Sequence, residues 1–189
     1  MASGESCAHP CHRLDVNHTI VSEEVQIRAL REEDDLSAIT ALLHAAYAPL
    51  AERGFRYLAS HQDDSITLQR LKAGWAYVGT LSGQIVATIT LRASEANSPC
   101  EWYREPSVFI FGQFAVHPAF QRRGIGERLI QRMEHEAVVR GATELALDTS
   151  EGATHLWNWY SRLGYRFIQH VSWRDTNYRS VVLSKSLTR

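Results

Sequence analysis

An almost unbroken apolar run, 108–116, is followed after a short polar connection by Gln121-Arg122-Arg123-Gly124-Ile125-Gly126 and then by a segment of helical period. A strand apolar on both faces belongs inside a sheet covered by helices, so this order leaves few folds open. It also builds an anion site. The first N–H groups of a helix have no intrahelical partner and carry the positive end of its dipole, which suits a diphosphate. Gly124 and Gly126 let a bulky anion approach the main chain, and Gly124 can take a positive φ. Arg122 and Arg123 add forked donors for phosphate oxygens. Beyond the turn Ile125, Leu129, Met133 and Ala137 recur every four residues beside Ile130 and Val138, which predicts an amphipathic helix stopped at Gly141. Two commoner phosphate motifs are not matched. Leu129 stands where a dinucleotide fingerprint needs its third glycine, and Gly126 is followed by Glu127 and Arg128 rather than by Lys and Ser or Thr.

The remaining elements follow from period and punctuation. Val25, Ile27 and Leu30 suggest a first strand, and the acidic residues of 31–35 suit a helix start. Leu36, Ile39, Leu42, Leu43 and Ala46 keep helical spacing until Pro49, which is expected to end that helix. Ile66, Leu68 and Leu71 predict a short second helix ending at Gly74. Segments 75–80 and 84–92 read as a hairpin around Leu81-Ser82-Gly83. Residues 97–106 read as a loop. A strand over 143–148, a helix over 153–163 closed by Gly164, and two strands over 165–173 and 178–187 complete the chain. Elements that interleave and then end on two consecutive strands imply an α/β fold with a mixed sheet flanked by helices. A doubly wound parallel sheet is the alternative, and the two hairpin-like pairs argue against it.

A chain of 189 residues, 44% hydrophobic and 22% charged, suits one globular domain of residues 23–189 behind a flexible leader, 1–22. The net charge of −1 disfavours a general electrostatic grip on nucleic acid. No apolar stretch approaches the roughly 20 residues that span a bilayer, and the leader lacks a secretory apolar block, so no membrane partner and a cytoplasmic location are expected. Three cysteines without such a signal make a disulfide framework improbable. Cys7, His9, Cys11 and His12 match no standard zinc spacing, and no metal site is expected.

Phe114-Ala115-Val116-His117-Pro118, the hexapeptide 121–126 and, further on, Tyr160-Ser161-Arg162-Leu163-Gly164-Tyr165 resemble, in order and spacing, both signature regions of the GCN5-related N-acetyltransferase (GNAT) superfamily. The resemblance spans roughly 24–187 and is stronger in the second half. It implies the GNAT fold, a mostly antiparallel central sheet splayed at its central strands, and an acetyl-CoA-dependent N-acetyltransferase. Gln121, Arg122, Arg123, Gly124, Ile125, Gly126 and Glu127 would then hold the coenzyme A diphosphate. Phe114, Ala115 and Val116 would pair with the pantetheine amides, and Tyr160 would protonate the leaving thiolate.

Acetyl transfer to an amine needs a neutral nucleophile, charge stabilisation at the carbonyl oxygen and a proton for the sulfur. The resemblance places a bulge within 112–116, and the Val116 amide, on a strand locally unpaired there, would suit the second requirement. Gly112 either marks that bulge or fits a crowded core. Tyr160 suits the third, because a hydroxyl with a reference pKa of about 10 is protonated at neutral pH. It also completes an apolar stripe with Leu156 and Leu163. The family often has Asn where this chain has Ala153, so Thr149, Ser150 or Asn158 would have to supply that contact. Where some members carry a basic Glu or His on the central strand, this chain has Ile110 and Gly112. Glu101, His61 and His117 remain as bases, or else water. Tyr47, Tyr57, Glu101, Trp102 and Trp173, with Phe55, Tyr103 and Tyr178, are the side chains available for a small amine acceptor, and Arg56 would favour a carboxylate-bearing one. Alternative readings are a non-catalytic acyl-CoA sensor and a peptide or protein N-acetyltransferase. A homodimer is left open.

Overall fold

A computed structural model describes residues 24–187. The expected leader, with its cysteines and histidines, lies outside the described residues. Seven strands, β1 (Gln26–Ala29), β2 (Trp75–Leu81), β3 (Gln84–Arg92), β4 (Val108–Val116), β5 (Glu144–Ser150), β6 (Arg166–Ser172) and β7 (Arg179–Ser186), alternate with α1 (Leu36–Glu52), α2 (Asp64–Lys72), α3 (Glu101–Arg104), α4 (Ile125–Val139) and α5 (Thr154–Arg162). They form one sheet in the order β1-β2-β3-β4-β5-β7-β6. Neighbours are antiparallel except β4 and β5. The mixed sheet expected from the sequence is therefore present, and the doubly wound alternative is not.

Period two divides the strand side chains between two covers. Tyr77, Ile89, Leu91, Phe109 and Phe111 face Leu129, Ile130 and Met133 of α4. Val78 and Ala115 join Ile39, Leu42 and Leu43 of α1 and Leu71 of α2. Val108, Ile110, Ala146 and Val182 pack with Cys100 and Tyr103 around α3. The β2–β3 turn is set by Ser82 and Gly83, whose φ angles of 48° and 80° are those of a tight primed hairpin turn.

Two local expectations are corrected, and the bulge expected within 112–116 is located. Pro49 does not end α1, which runs on to Glu52. A proline costs one hydrogen bond and crowds the preceding turn. Here the final turn is anchored by Leu50, buried against Tyr57 and Ala153. The loop 97–106 contains the single turn α3, which buries Tyr103. The bulge of β4 lies beyond Gly112: Thr90 pairs with Gly112 and Thr88 with Ala115, so Gln113 and Phe114 together oppose Ile89. Gln113 carries the left-handed φ of 48°. Nor is Gly112 crowded, since a Cβ there would meet nothing nearer than Arg92 Nη2 at 3.9 Å.

Candidate active site

β4 and β5 pair only from Val108 to Ile110 against Glu144 to Ala146. Beyond those three pairs the strands part, and a cleft of about 640 Å³ opens at the parting, with Val116, Gly126, Asp148 and Tyr160 in its lining. The ladder geometry orients β4 towards it. His117 N–H donates to Val86 O at 2.9 Å, so antiparallel alternation turns the Val116 amide away from β3, to the side where β5 has diverged. The Val116 carbonyl accepts from Gln121 Nε2 at 2.9 Å, and the Phe114 carbonyl from the Tyr47 hydroxyl at 3.2 Å. Ala115 pairs with Thr88 and its side chain is buried in the α1 and α2 cluster, so its peptide groups face β3 rather than the cleft.

Helix α4 enters the same cleft by its N-terminus. Gly124 takes φ 76° and provides no side-chain cap. The first helical bond runs from Arg128 N–H to Gly124 O at 3.1 Å, ahead of which Ile125, Gly126 and Glu127 line the cleft. Arg122 has φ 61°, a strained conformation for a residue with a side chain, two residues before the left-handed Gly124. Phe114 and Trp159 stack at 6.1 Å beside Gly126. A Cβ on Gly126 would lie 3.3 Å from Phe114. Arg123 is a departure from expectation. Its guanidinium stacks on Phe120 at 5.4 Å and lines a second depression with Glu24 and Arg128.

Tyr160 projects from α5, 6% exposed, against Phe111 and Tyr165. Among the described residues its hydroxyl has no hydrogen-bond partner, and burial, reinforced by Tyr47, Tyr57 and Asp148, pushes its pKa well above 10. It is held protonated. Tyr57 braces the opposite wall: its hydroxyl meets Thr149 Oγ1 at 3.0 Å and accepts from Ser150 N–H at 2.9 Å. Its ring lies 5.2 Å from Tyr47 and 4.8 Å from Tyr178.

The other expected acceptor residues divide. Trp173 stands behind the cleft and donates from Nε1 to Asp148 Oδ2 at 2.8 Å. Glu101 is exposed and paired with Arg104 at 3.6 Å, and Trp102 packs in the α3 cluster under the Arg166 guanidinium; neither lines the cleft. The reason is α3, which sequence period missed and which turns Glu101 to solvent and packs Trp102 away from the cleft. His117 is spent capping the turn Pro118–Phe120, and His61 is exposed beside Ser60.

Besides Glu127 at the start of α4, the acidic group that faces the cleft is Asp148, which also accepts from the Tyr103 hydroxyl at 3.2 Å. It escaped the sequence reading because it ends an ordinary strand pattern, Leu-Ala-Leu-Asp. Only the divergence of β5 from β4 exposes it. Arg53, His155 and Trp159 also line the cleft and went unremarked.

The Acetyltransferase (GNAT) family model matches residues 36–165. S-(2-succino)cysteine N-acetyltransferase of Bacillus subtilis is 32% identical over 139 residues, which is 72% of this chain and 81% of that enzyme. Among solved structures, a Pyrococcus horikoshii protein superposes with a TM-score of 0.69 at 18% identity, over 88% of this chain and 100% of that one. A GNAT family acetyltransferase from Elizabethkingia anophelis, solved with acetyl-CoA bound, gives 0.61 at 16% identity, over 86% and 98%. The family model and the Bacillus relative together mark the chain as an acyltransferase, and the parted seven-stranded sheet is the fold it shares with those structures. This chain belongs to the acetyltransferase (GNAT) family.

Proposed function

We propose that the protein transfers an acetyl group from acetyl-CoA to the amine of a small, amino-acid-like molecule, directly and within one ternary complex. The observation that carries this reading is the convergence on one cleft of the uncapped start of α4, the outward-turned Val116 amide and the unpartnered hydroxyl of Tyr160. The cleft fits the carrier, since the unpaired N–H groups at a helix N-terminus suit a diphosphate. Acetyl-CoA would supply the activated acyl group as a thioester.

The residues then take these roles. The N–H groups of Ile125, Gly126 and Glu127, with Arg122, hold the diphosphate, and Gln121 fixes the strand end by its bond to Val116 O. The Val116 N–H is aimed at the acyl oxygen, where negative charge grows as the amine attacks. Asp148 orients the acceptor nitrogen and stabilises the positive charge it gains on bonding to the acyl carbon; its proton then leaves to water through the open cleft. Tyr160 gives its hydroxyl proton to the departing sulfur and is reprotonated from solvent. The aromatic wall of Tyr47, Tyr57 and Tyr178 narrows the acceptor side, which favours a small molecule over an extended peptide. The succinocysteine substrate named for the Bacillus relative supports an amino-acid-like acceptor.

Calorimetry with coenzyme A tests the donor site. Binding is expected in the micromolar range and is expected to vanish in Gly126→Trp, whose indole would fill the approach beside Phe114. Equal binding by both proteins rejects the site. Mass spectrometry of an amine panel incubated with acetyl-CoA tests the transfer, and carrier binding without any acetylated product rejects it.

A further inference from the structure

Across the sheet from α4, a cluster of polar groups lies behind the Tyr47 and Asp148 edge of the cleft, and none of the roles above uses its arginines, Arg70 and Arg92. Its floor is β3 and β4. Thr88 and Thr90 share a face with Arg92, opposite to Ile89 and Leu91, which pack under α4. Gly112, paired with Thr90, leaves the floor open to Arg92. From α2, Arg70 comes within electrostatic reach of Tyr47, Arg92, Asp148 and Tyr178.

The cluster is chemically incomplete. Among the described residues Thr88 Oγ1 and Thr90 Oγ1 are buried without partners, as are both amide atoms of Gln113 in the adjoining bulge. Buried polar groups are normally satisfied, and four such atoms around one bulge mark a place where something polar binds. Arg92 has a counter-charge in Glu95. Arg70 makes no ion pair among the described residues, Asp148 acting on it only at longer range: its guanidinium donates from Nη1 to the neutral Gln62 Oε1 at 2.7 Å. Gln62 is itself fixed by its bond from Nε2 to Thr67 Oγ1 at 2.7 Å. The cation is half-buried, pre-oriented by neutral side chains and without an anion in ion-pair contact, an arrangement whose desolvation is offset when a carboxylate or similar group arrives.

We propose that Arg70 is the anchor for an acid group on the acceptor, so that the substrate is an amine that also bears a carboxylate, seated over Gly112 with its nitrogen towards Asp148. Arg70 and Asp148 provide opposite charges on the two sides of one cluster, which is complementary to a zwitterion. The inference rests on the acetyl-transfer reading for the direction in which the amine points, but not for the existence of the anion site.

The test compares S-carboxymethylcysteine with its dimethyl ester as acceptors for acetyl-CoA in the full-length protein and in Arg70→Met and Arg70→Lys. Arg70→Met should lower kcat/KM for the diacid on the order of 100-fold, mainly through KM, as expected for loss of a buried charged pair. The ester should change by less than about 3-fold, within the range of an altered but uncharged contact. Arg70→Lys should recover part of the loss. Equal effects on acid and ester overturn the anchor while leaving the transferase reading standing. Calorimetric binding of N-acetyl-S-carboxymethylcysteine to the coenzyme A complex provides a readout independent of turnover. Binding that Arg70→Met abolishes supports the anchor even if no amine is acetylated, in which case only the transferase reading fails; no binding by the unmutated protein overturns the anchor. Gly112→Leu, which crowds the cluster and leaves Arg70 in place, should likewise abolish binding of the acid while coenzyme A still binds.

Discussion

Tyr160 shows what one residue inherits from its surroundings. Its ring is an ordinary member of the apolar core, while its hydroxyl ends in the cleft with no protein acceptor among the described residues. Tyr160→Phe keeps the packing and removes only the proton. Turnover is expected to fall about 10- to 100-fold, the low part of the range for general acid catalysis, with coenzyme A affinity unchanged by calorimetry. An undiminished turnover rate would assign that proton to water. The position of Tyr160 was legible from its offset to Leu163-Gly164-Tyr165. Asp148 was not, because nothing local separates it from any polar residue closing a strand; its place depends on bonds from Tyr103 and Trp173, respectively 45 and 25 residues away. Arg123 lies outside the cleft lining, its guanidinium stacked on Phe120, a placement that its position in the tripeptide does not reveal.

At the scale of elements, strand β4 and helix α4 were readable to the residue or nearly so, because continuous apolarity and a four-residue recurrence are strong signals. The bulge was readable only in its neighbourhood. Glycine marked the region, yet the left-handed φ falls on Gln113, since register against β3 and not local propensity decides where the extra residue goes. Likewise α1 outruns Pro49 because tertiary burial of Leu50 outweighs a local stop. The seat of α4 should be sensitive to its buried stripe. Leu129 is 0% exposed between the helix and the sheet. Leu129→Ala is expected to cost about 2–5 kcal/mol in urea unfolding, with a matching loss of coenzyme A affinity only if the helix start shifts. A cost below about 1 kcal/mol would mean that α4 is far less firmly packed than its burial indicates.

For the whole molecule, one sheet built from both ends of the described chain makes long-range ion pairs part of its stability. Glu144, at the start of the central β5, is a case in point. Burial acts to raise its pKa, but hydrogen bonds from Arg166, Ser184 and Ser186 prevail and hold it below the ordinary value of 4.5. The same balance holds Glu136 down through Arg140, Tyr77 and Arg132. A carboxylate depressed in the folded state adds stability that is present above its unfolded pKa and is lost as pH falls through the folded one. Unfolding free energy should therefore be steady near neutrality and decline below about pH 4.5. Glu144→Gln should flatten that decline and lower stability at pH 7, as read by urea denaturation at both pH values; an unchanged slope would remove Glu144 from the acid response.

The brief pairing of β4 with β5 sets how reactants meet. Only three residue pairs join the two strands before they separate, and the start of α4 and the helix that carries Arg70 pack on opposite faces of the sheet. On the proposed reading, neither reactant has to leave for the other to enter. A bisubstrate inhibitor threaded through the parting, joining the carrier to an acid-bearing amine, would engage both faces at once and should surpass the affinity of either half by the effective concentration its tether creates.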